Sequence, residues 1–240
     1  MATDITRSGL NVYGVTIGDE LICLDLQSGR LNWSFQKPYA ENCWYWSSAP
    51  LIDDSGLYFG ALNGSMYALD ARSGKVIWSS DLGARITSSA ALMGADLYVG
   101  TADHHFYRLN RNGGKIIDRL TLEGTPGGPL VRSADALLIT LYPNDESRTD
   151  NAVACIDPLK MNLRWSQRSA SGWSMREPVV MGNTVLAGNS VGELFAFRLS
   201  DGKPDWSDPF KGTIRSIGLD ANNVLYIGTL GGTVYAYDPK

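Results

Sequence analysis

Ser190 lies inside the run Gly188-Asn-Ser-Val-Gly192, whose G-x-S-x-G spacing is that of a nucleophile elbow. An elbow needs a sharp turn from a strand into a helix, so that the hydroxyl stands clear of the sheet. Here alternating apolar stretches lie on both sides, and the expectation is a hairpin between two strands. Asp103, His104 and His105 contain both histidines of the chain. Neighbouring strand residues face opposite ways, so two adjacent imidazoles seldom share a metal, and no third histidine completes a site. A hairpin tip is expected there too. GTPGGP (124–129) and GTLGGT (228–233) read as loop glycines with no helix following, so neither makes a phosphate cradle. Cys23, Cys43 and Cys155 show no paired metal-ligand spacing. What remains with chemical character is a set of aromatic and cationic side chains: Trp44, Trp46, Arg85, Trp173, Met175, Arg176 and Arg215.

These residues need a scaffold, and composition bounds it. The chain has 240 residues, 44% hydrophobic and 19% charged, with a formal charge of -4. That is too apolar for a disordered chain and gives enough material for a sizeable core. No apolar run approaches the roughly 18 residues of a membrane span, and the first twenty residues lack a basic start followed by an apolar stretch. With 21 basic against 25 acidic residues and no Lys/Arg cluster, nucleic acid is not an expected partner.

Helical periodicity is nearly absent; short alternating runs recur between Gly, Asn, Asp and Ser. LICLDLQSGRLNW, MYALDARSGKVIW, FYRLNRNGGKIID, VACIDPLKMNLRW and LFAFRLSDGKPDW align without gaps, and VYAYDPK is a shortened sixth copy. The first motif position, held by Asp25, Asp70, Asn110, Asp157, Arg198 and Asp238, recurs at spacings of 45, 40, 47, 41 and 40 residues. A glycine follows four residues later (Gly29, Gly74, Gly114, Gly202), with Met161 departing, and then a tryptophan (Trp33, Trp78, Trp165, Trp206), with Asp118 departing. Two upstream strand patterns per copy make about four strands per repeat. A sheet of that size cannot cover both its faces alone, so the sheets must stack on one another, and radial stacking protects their edges. The expected fold is therefore all-β: a β-propeller of six four-stranded blades, the last without a visible outer strand. One domain spans 1–240, with repeats at about 2–39, 40–83, 84–122, 123–170, 171–210 and 211–240. The motif Asp bonds turn amides, the Gly takes a positive φ, and the Trp fills the wedge between blades.

The pattern A-x-D-x-x-x-G-x-x-x-W, most complete as Ala68, Asp70, Gly74 and Trp78, resembles the quinoprotein-like (PQQ-like) propeller repeat, over nearly the whole chain. The resemblance extends in character to BamB-type scaffold propellers. It implies the fold and says little about function. Quinone-dependent alcohol dehydrogenases of this family hold pyrroloquinoline quinone beside an adjacent-cysteine disulfide ring and coordinate calcium with acidic and amide residues. This chain has no Cys-Cys pair and few acids in its linkers, so neither PQQ nor calcium is expected. Cys23 and Cys155 stand where Ala68, Ala196 and Ala236 stand in sister repeats, and read as small buried fillers.

With four strands running up and down, the linkers between repeats and the hairpins between second and third strands emerge on one face. The long linker QKPYAENCWYW and the insertion YPNDESRTDN both fall there. So do Trp44, Trp46 and Trp173, accompanied by Arg85, Met175, Arg176 and Arg215. Aromatic groups with arginine on an acidic protein suit a binding patch; alternatively the Trp rings plug the channel.

The expected function is a non-catalytic binding or scaffold module that offers this face to a protein segment, peptide or small ligand. The alternatives are a PQQ-dependent alcohol dehydrogenase-like enzyme and a sensor or interaction domain cut from a longer chain. The ring would then close without a last outer strand, through the N-terminus, or through further repeats. The family resemblance favours an extracytoplasmic, periplasmic location, with no signal segment in this chain.

Overall fold

The computed structural model describes residues 5–16, 19–36, 49–54, 56–144, 150–173 and 178–237. Among them there is no helix, and 23 strands form six antiparallel sheets in chain order. They fall into two compact units, residues 1–129 and 130–240.

The first unit holds three sheets. The first consists of β1 (Thr6–Ser8), β2 (Asn11–Val15), β3 (Glu20–Asp25) and β4 (Leu31–Gln36). The second consists of β5 (Leu51–Asp53), β6 (Gly56–Gly60), β7 (Ser65–Leu69) and β8 (Val76–Asp81). The third consists of β9 (Ala91–Met93), β10 (Asp96–Gly100), β11 (His105–Asn110) and β12 (Ile116–Thr121). Each is a plain meander, every strand pairing with the next. The second strands β6 and β10 are buried at every position, because both their faces are covered, whereas β8 and β12 are mostly exposed. One apolar cluster joins the first and second sheets through Tyr13, Leu21, Phe59 and Tyr67, and another joins the second and third through Tyr58, Met66, Leu97 and Tyr107. Burial of these side chains between sheets is the main driving force for stacking.

The second unit continues the pattern. Strand β13 (Thr125–Arg132) starts in the first unit, to which residues 125–129 belong, and the second unit holds its end together with β14 (Leu137–Tyr142), β15 (Ala152–Asp157), β16 (Asn162–Arg168), β17 (Val179–Met181), β18 (Thr184–Gly188), β19 (Glu193–Arg198) and β20 (Pro204–Pro209). The last sheet has three strands, β21 (Ile214–Leu219), β22 (Leu225–Thr229) and β23 (Val234–Tyr237). Its cores are built around Leu138, Trp165 and Phe197, and around Leu186, Ile214 and Ile227. The stretch GTPGGP differs from expectation. It opens strand β13, and Gly128, at φ 78°, forms a parallel bridge to Ser88. Glycine allows this strand-like path because the backbone can swing to positive φ without a Cβ.

The repeat motif has the local causes its residue types suggest. Asp70 Oδ1 accepts from the Ser73 amide at 2.8 Å and the Ser73 hydroxyl at 2.7 Å, while the Gly74 amide donates to the Asp70 carbonyl at 2.8 Å. Asp25 and Ser28 repeat this turn at 2.7 and 2.6 Å. The serine hydroxyls, then the turn amides, hold both carboxyls below the usual carboxylate range. A bulge follows at the same place in five sheets, after Cys23, Ala68, Arg108, Cys155 and Ala196. It sets the motif tryptophan directly opposite a small residue in four of them: Cys23 faces Trp33, Ala68 faces Trp78, Cys155 faces Trp165 and Ala196 faces Trp206. The ring then reaches the following sheet. Indole N–H groups donate from Trp33 to Ala71 O at 3.2 Å, from Trp78 to Arg111 O at 2.9 Å and from Trp165 to Leu199 O at 2.8 Å.

Candidate functional site

Linkers and second hairpins meet on one face of each unit, bonded through the main chain. In the first unit the Leu82 amide donates to Gly64 O at 2.9 Å, Ala102 to Arg85 O at 2.8 Å and Leu122 to His104 O at 2.8 Å. In the second, Ser190 donates to Gly172 O at 3.0 Å, Phe210 to Gly192 O at 2.7 Å and Leu230 to Thr213 O at 2.9 Å. These bonds make each of these linkers the wall of a hairpin.

One such wall encloses an open groove of about 460 Å³, formed by Leu62 and Asn63 of the β6–β7 hairpin, Gly83, Ala84 and Arg85 of the linker, and Ala102 and Asp103 of the β10–β11 hairpin. Its lining includes three small residues, one cation and one anion. Asp103 is held in place: Thr101 Oγ1 donates to its Oδ1 at 2.6 Å, and His105 Nδ1 lies 2.9 Å from its Oδ2. Burial acts to raise this carboxyl, but the bonds from Thr101 and His105 outweigh it and keep it below the usual range. The groove therefore keeps a fixed negative charge near neutral pH.

The histidine cluster sits where the repeat alignment places it. His104 occupies the hairpin position of Gly64 and Gly192, and all three have positive φ, at 69°, 87° and 92°. Its Nδ1 lies 3.2 Å from Thr125 Oγ1, but the Asp103 carboxylate behind the pair serves His105 instead. Among the described residues around these histidines, no nucleophile, base and orienting acid converge. Ser190, exposed in the turn between β18 and β19, donates its hydroxyl to the Ser171 carbonyl, so the G-x-S-x-G run is a hairpin as its flanking patterns suggest.

The expected site residues divide by unit. Arg85 is exposed and lines the groove in the first. Arg215 is exposed on β21 in the second. Trp44, Trp46, Met175 and Arg176 lie outside the described residues. Trp173 is only 5% exposed. Its ring stands edge-on to Phe195 and Phe197 at centroid distances of 5.3 and 5.5 Å, and its indole N–H donates to Gln167 O at 2.8 Å. Its main chain is clamped by Asn151, which accepts from the Trp173 amide and donates to its carbonyl at 3.3 Å. Trp173 is thus packed into a core cluster of the second unit with Phe197 and Phe195. The segments carrying Trp173 and Arg215 do meet the same hairpin, since Asn189 bridges to Trp173 and accepts the Ile214 amide at 3.3 Å.

One polar residue of this face went unmarked by motif reading. Asp19, in the β2–β3 hairpin, is 2% exposed and has φ 60°, and its Oδ2 accepts the Leu62 amide at 2.9 Å. The available signal was its alignment with Gly64, a turn position where a carboxylate is out of pattern.

The sequence profile described as outer membrane protein assembly factor BamB matches residues 2–136 and 62–216 of the chain. The tetrathionate hydrolase of Acidithiobacillus ferrooxidans is 24% identical over 241 aligned residues, covering 91% of this chain and 47% of that protein. BamB of Salmonella typhimurium is 26% identical over 116 residues, covering 48% of this chain and 28% of that protein. The chain spans less than half the length of these curated relatives. The crystal structure of BamB from Moraxella catarrhalis superposes with a TM-score of 0.80 and 19% identity, over 97% of this chain and 71% of that one. A likeness of this kind identifies the fold, a β-propeller with six blades in this chain.

Proposed function

Because this chain belongs to the family of outer membrane protein assembly factor BamB, we propose that it is a non-catalytic scaffold propeller whose linker-and-hairpin face binds an extended segment of a protein partner. The observation that carries this reading is the groove between the second and third hairpins. Its lining combines the small Gly83, Ala84 and Ala102, suited to a peptide main chain, with the oppositely charged Arg85 and Asp103. Arg85 supplies a guanidinium for a carboxylate or a main-chain carbonyl, and the anchored Asp103 sets the polarity of the bound segment. Arg215, Trp44, Trp46, Met175 and Arg176 extend the same kind of surface in this reading, within one propeller domain over 1–240. An extracytoplasmic location goes with the family; no helix among the described residues is long and apolar enough to cross a membrane.

The test is binding to an array of extended twelve-residue peptides of systematically varied charge. Arg85→Glu should weaken the peptides that bind by at least tenfold, whereas Lys75→Glu, in the turn between β7 and β8, should leave them unchanged. Equal affinity in the Arg85→Glu protein would remove the groove from the reading. The enzyme alternatives have direct assays: PQQ with calcium should give no dye-linked alcohol oxidation, and tetrathionate should not be consumed. Turnover in either assay would replace the scaffold reading.

A further inference from the structure

The turn position of the second hairpin is glycine in three described blades (Gly64, Gly192, Gly232), Asn151 in the blade with the lengthened hairpin, and in the other two the polar residues Asp19 and His104. Both of the latter adopt positive φ, and both reach well along the chain: Asp19 to Leu62 and His104 to Thr125. A left-handed backbone costs a non-glycine residue about 1 kcal/mol or more, so each contact is made against a local preference. Asp19 goes further. Its side chain is sealed from solvent, Oδ2 takes the Leu62 amide, and Oδ1 is buried with no hydrogen-bond partner. An ionised carboxylate in that position keeps one oxygen desolvated and unpaired, which is costly; a neutral carboxyl pays much less.

Among the described residues, the charges around it do not offset this. The hairpin it reaches, Ala61 to Ser65, contains no titratable residue. Glu20 follows Asp19 on β3 and adds charge of the same sign. Arg85 belongs to the linker packed on that hairpin, where the Ile86 amide donates to Ala61 O at 3.4 Å, but it makes no ion pair with Asp19. Desolvation, only partly opposed by the Leu62 bond, pushes the Asp19 carboxyl up to about 6.

We propose that Asp19 is a proton-operated latch between the first and second hairpins: as the neutral acid it stays sealed and pins Leu62, and on losing its proton it favours opening to water. Leu62 lines the groove assigned above to peptide binding, so the latch regulates that site; this consequence rests on the groove reading, whereas the latch itself does not. The sign is fixed by linkage. The closed state holds its proton more tightly than the open one, so closure is fully favoured below the usual aspartate pKa and weakens as pH rises through about 6.

The experiment is amide hydrogen exchange on the ligand-free chain at pH 4 to 7, with rates divided by the intrinsic exchange rate at each pH. The Leu62 protection factor should fall at least tenfold between pH 4.5 and 7 in the native chain. It should stay level in Asp19→Asn, which keeps an acceptor for Leu62, tolerates positive φ and carries no charge. Asp19→Gly, the residue of the sister hairpins, should show low Leu62 protection throughout. A level profile in the native chain, or the same fall in Asp19→Asn, would overturn the latch. Because no ligand is present, either result leaves the peptide-binding reading to its own test.

Discussion

The Trp78 indole lies over Gly114 of the following blade so closely that a Cβ built on that glycine would sit 2.4 Å from ring atom Cε3. Trp33 covers Gly74 in the same way, at 2.6 Å, and Trp165 covers Gly202, also at 2.6 Å. In these three pairs the motif tryptophan and glycine are therefore halves of a contact between successive repeats. The glycine meets two demands at once, positive φ at 69° for Gly114 and the absence of a side chain beneath a ring.

Gly114→Ala should lower the unfolding free energy by about 3 kcal/mol or more, because the strained φ and the clash add. Gly94, at φ 61° with nothing within 4 Å of its virtual Cβ, separates the two effects. Gly94→Ala should cost only about 1 kcal/mol. Urea denaturation of both variants checks the difference; equal losses would mean that the tryptophan contact adds nothing.

Met161 stands where the other repeats have glycine. It is 6% exposed with φ 48°. Met161→Gly relieves about 1 kcal/mol of left-handed strain but empties a buried site worth about 2–5 kcal/mol. The cavity should win, giving a net loss of about 1–4 kcal/mol in the same denaturation assay.

Cys23 and Cys155 are free and fully buried. Burial pushes both thiols up, Cys155 to about 11, so little thiolate forms at pH 8 and none is accessible. Iodoacetamide should leave both unmodified in the native protein by peptide mass mapping and alkylate both in urea.

Global stability should carry two separate pH windows. Asp25, Asp70 and Asp157 have lowered carboxyls, so their contribution is present above the ordinary aspartate range and is lost as pH falls through and below it. Asp19 acts oppositely and at higher pH, weakening the fold by up to about 3 kcal/mol as pH rises from 4 to 7. Thermal melts of Asp19→Asn should lose the second slope and keep the first.

The repeat made the fold legible from sequence because its period, turn residues and strand patterns all agree on one answer. Alignment alone placed His104 in a turn and Ser190 in a hairpin. The site was less legible, because burial depends on the neighbouring blade, which no local pattern contains. Trp173 and Arg85 both follow motif strands in linkers, yet one is sealed against Phe195 and Phe197 and the other lines an open groove. Asp19 shows the same limit: its misfit with glycine is visible in sequence, but its reach across to Leu62 is not.

A tryptophan on one fourth strand and the glycine it covers lie in a continuous stretch, such as 33–74, that begins in one blade and ends in the next turn. Cutting the chain at those turns would yield cassettes that each carry a matched pair, whereas cutting at the linkers would part the two. The stretch from Asp118 to Met161 lacks both partners together, so there neither kind of cut parts a pair.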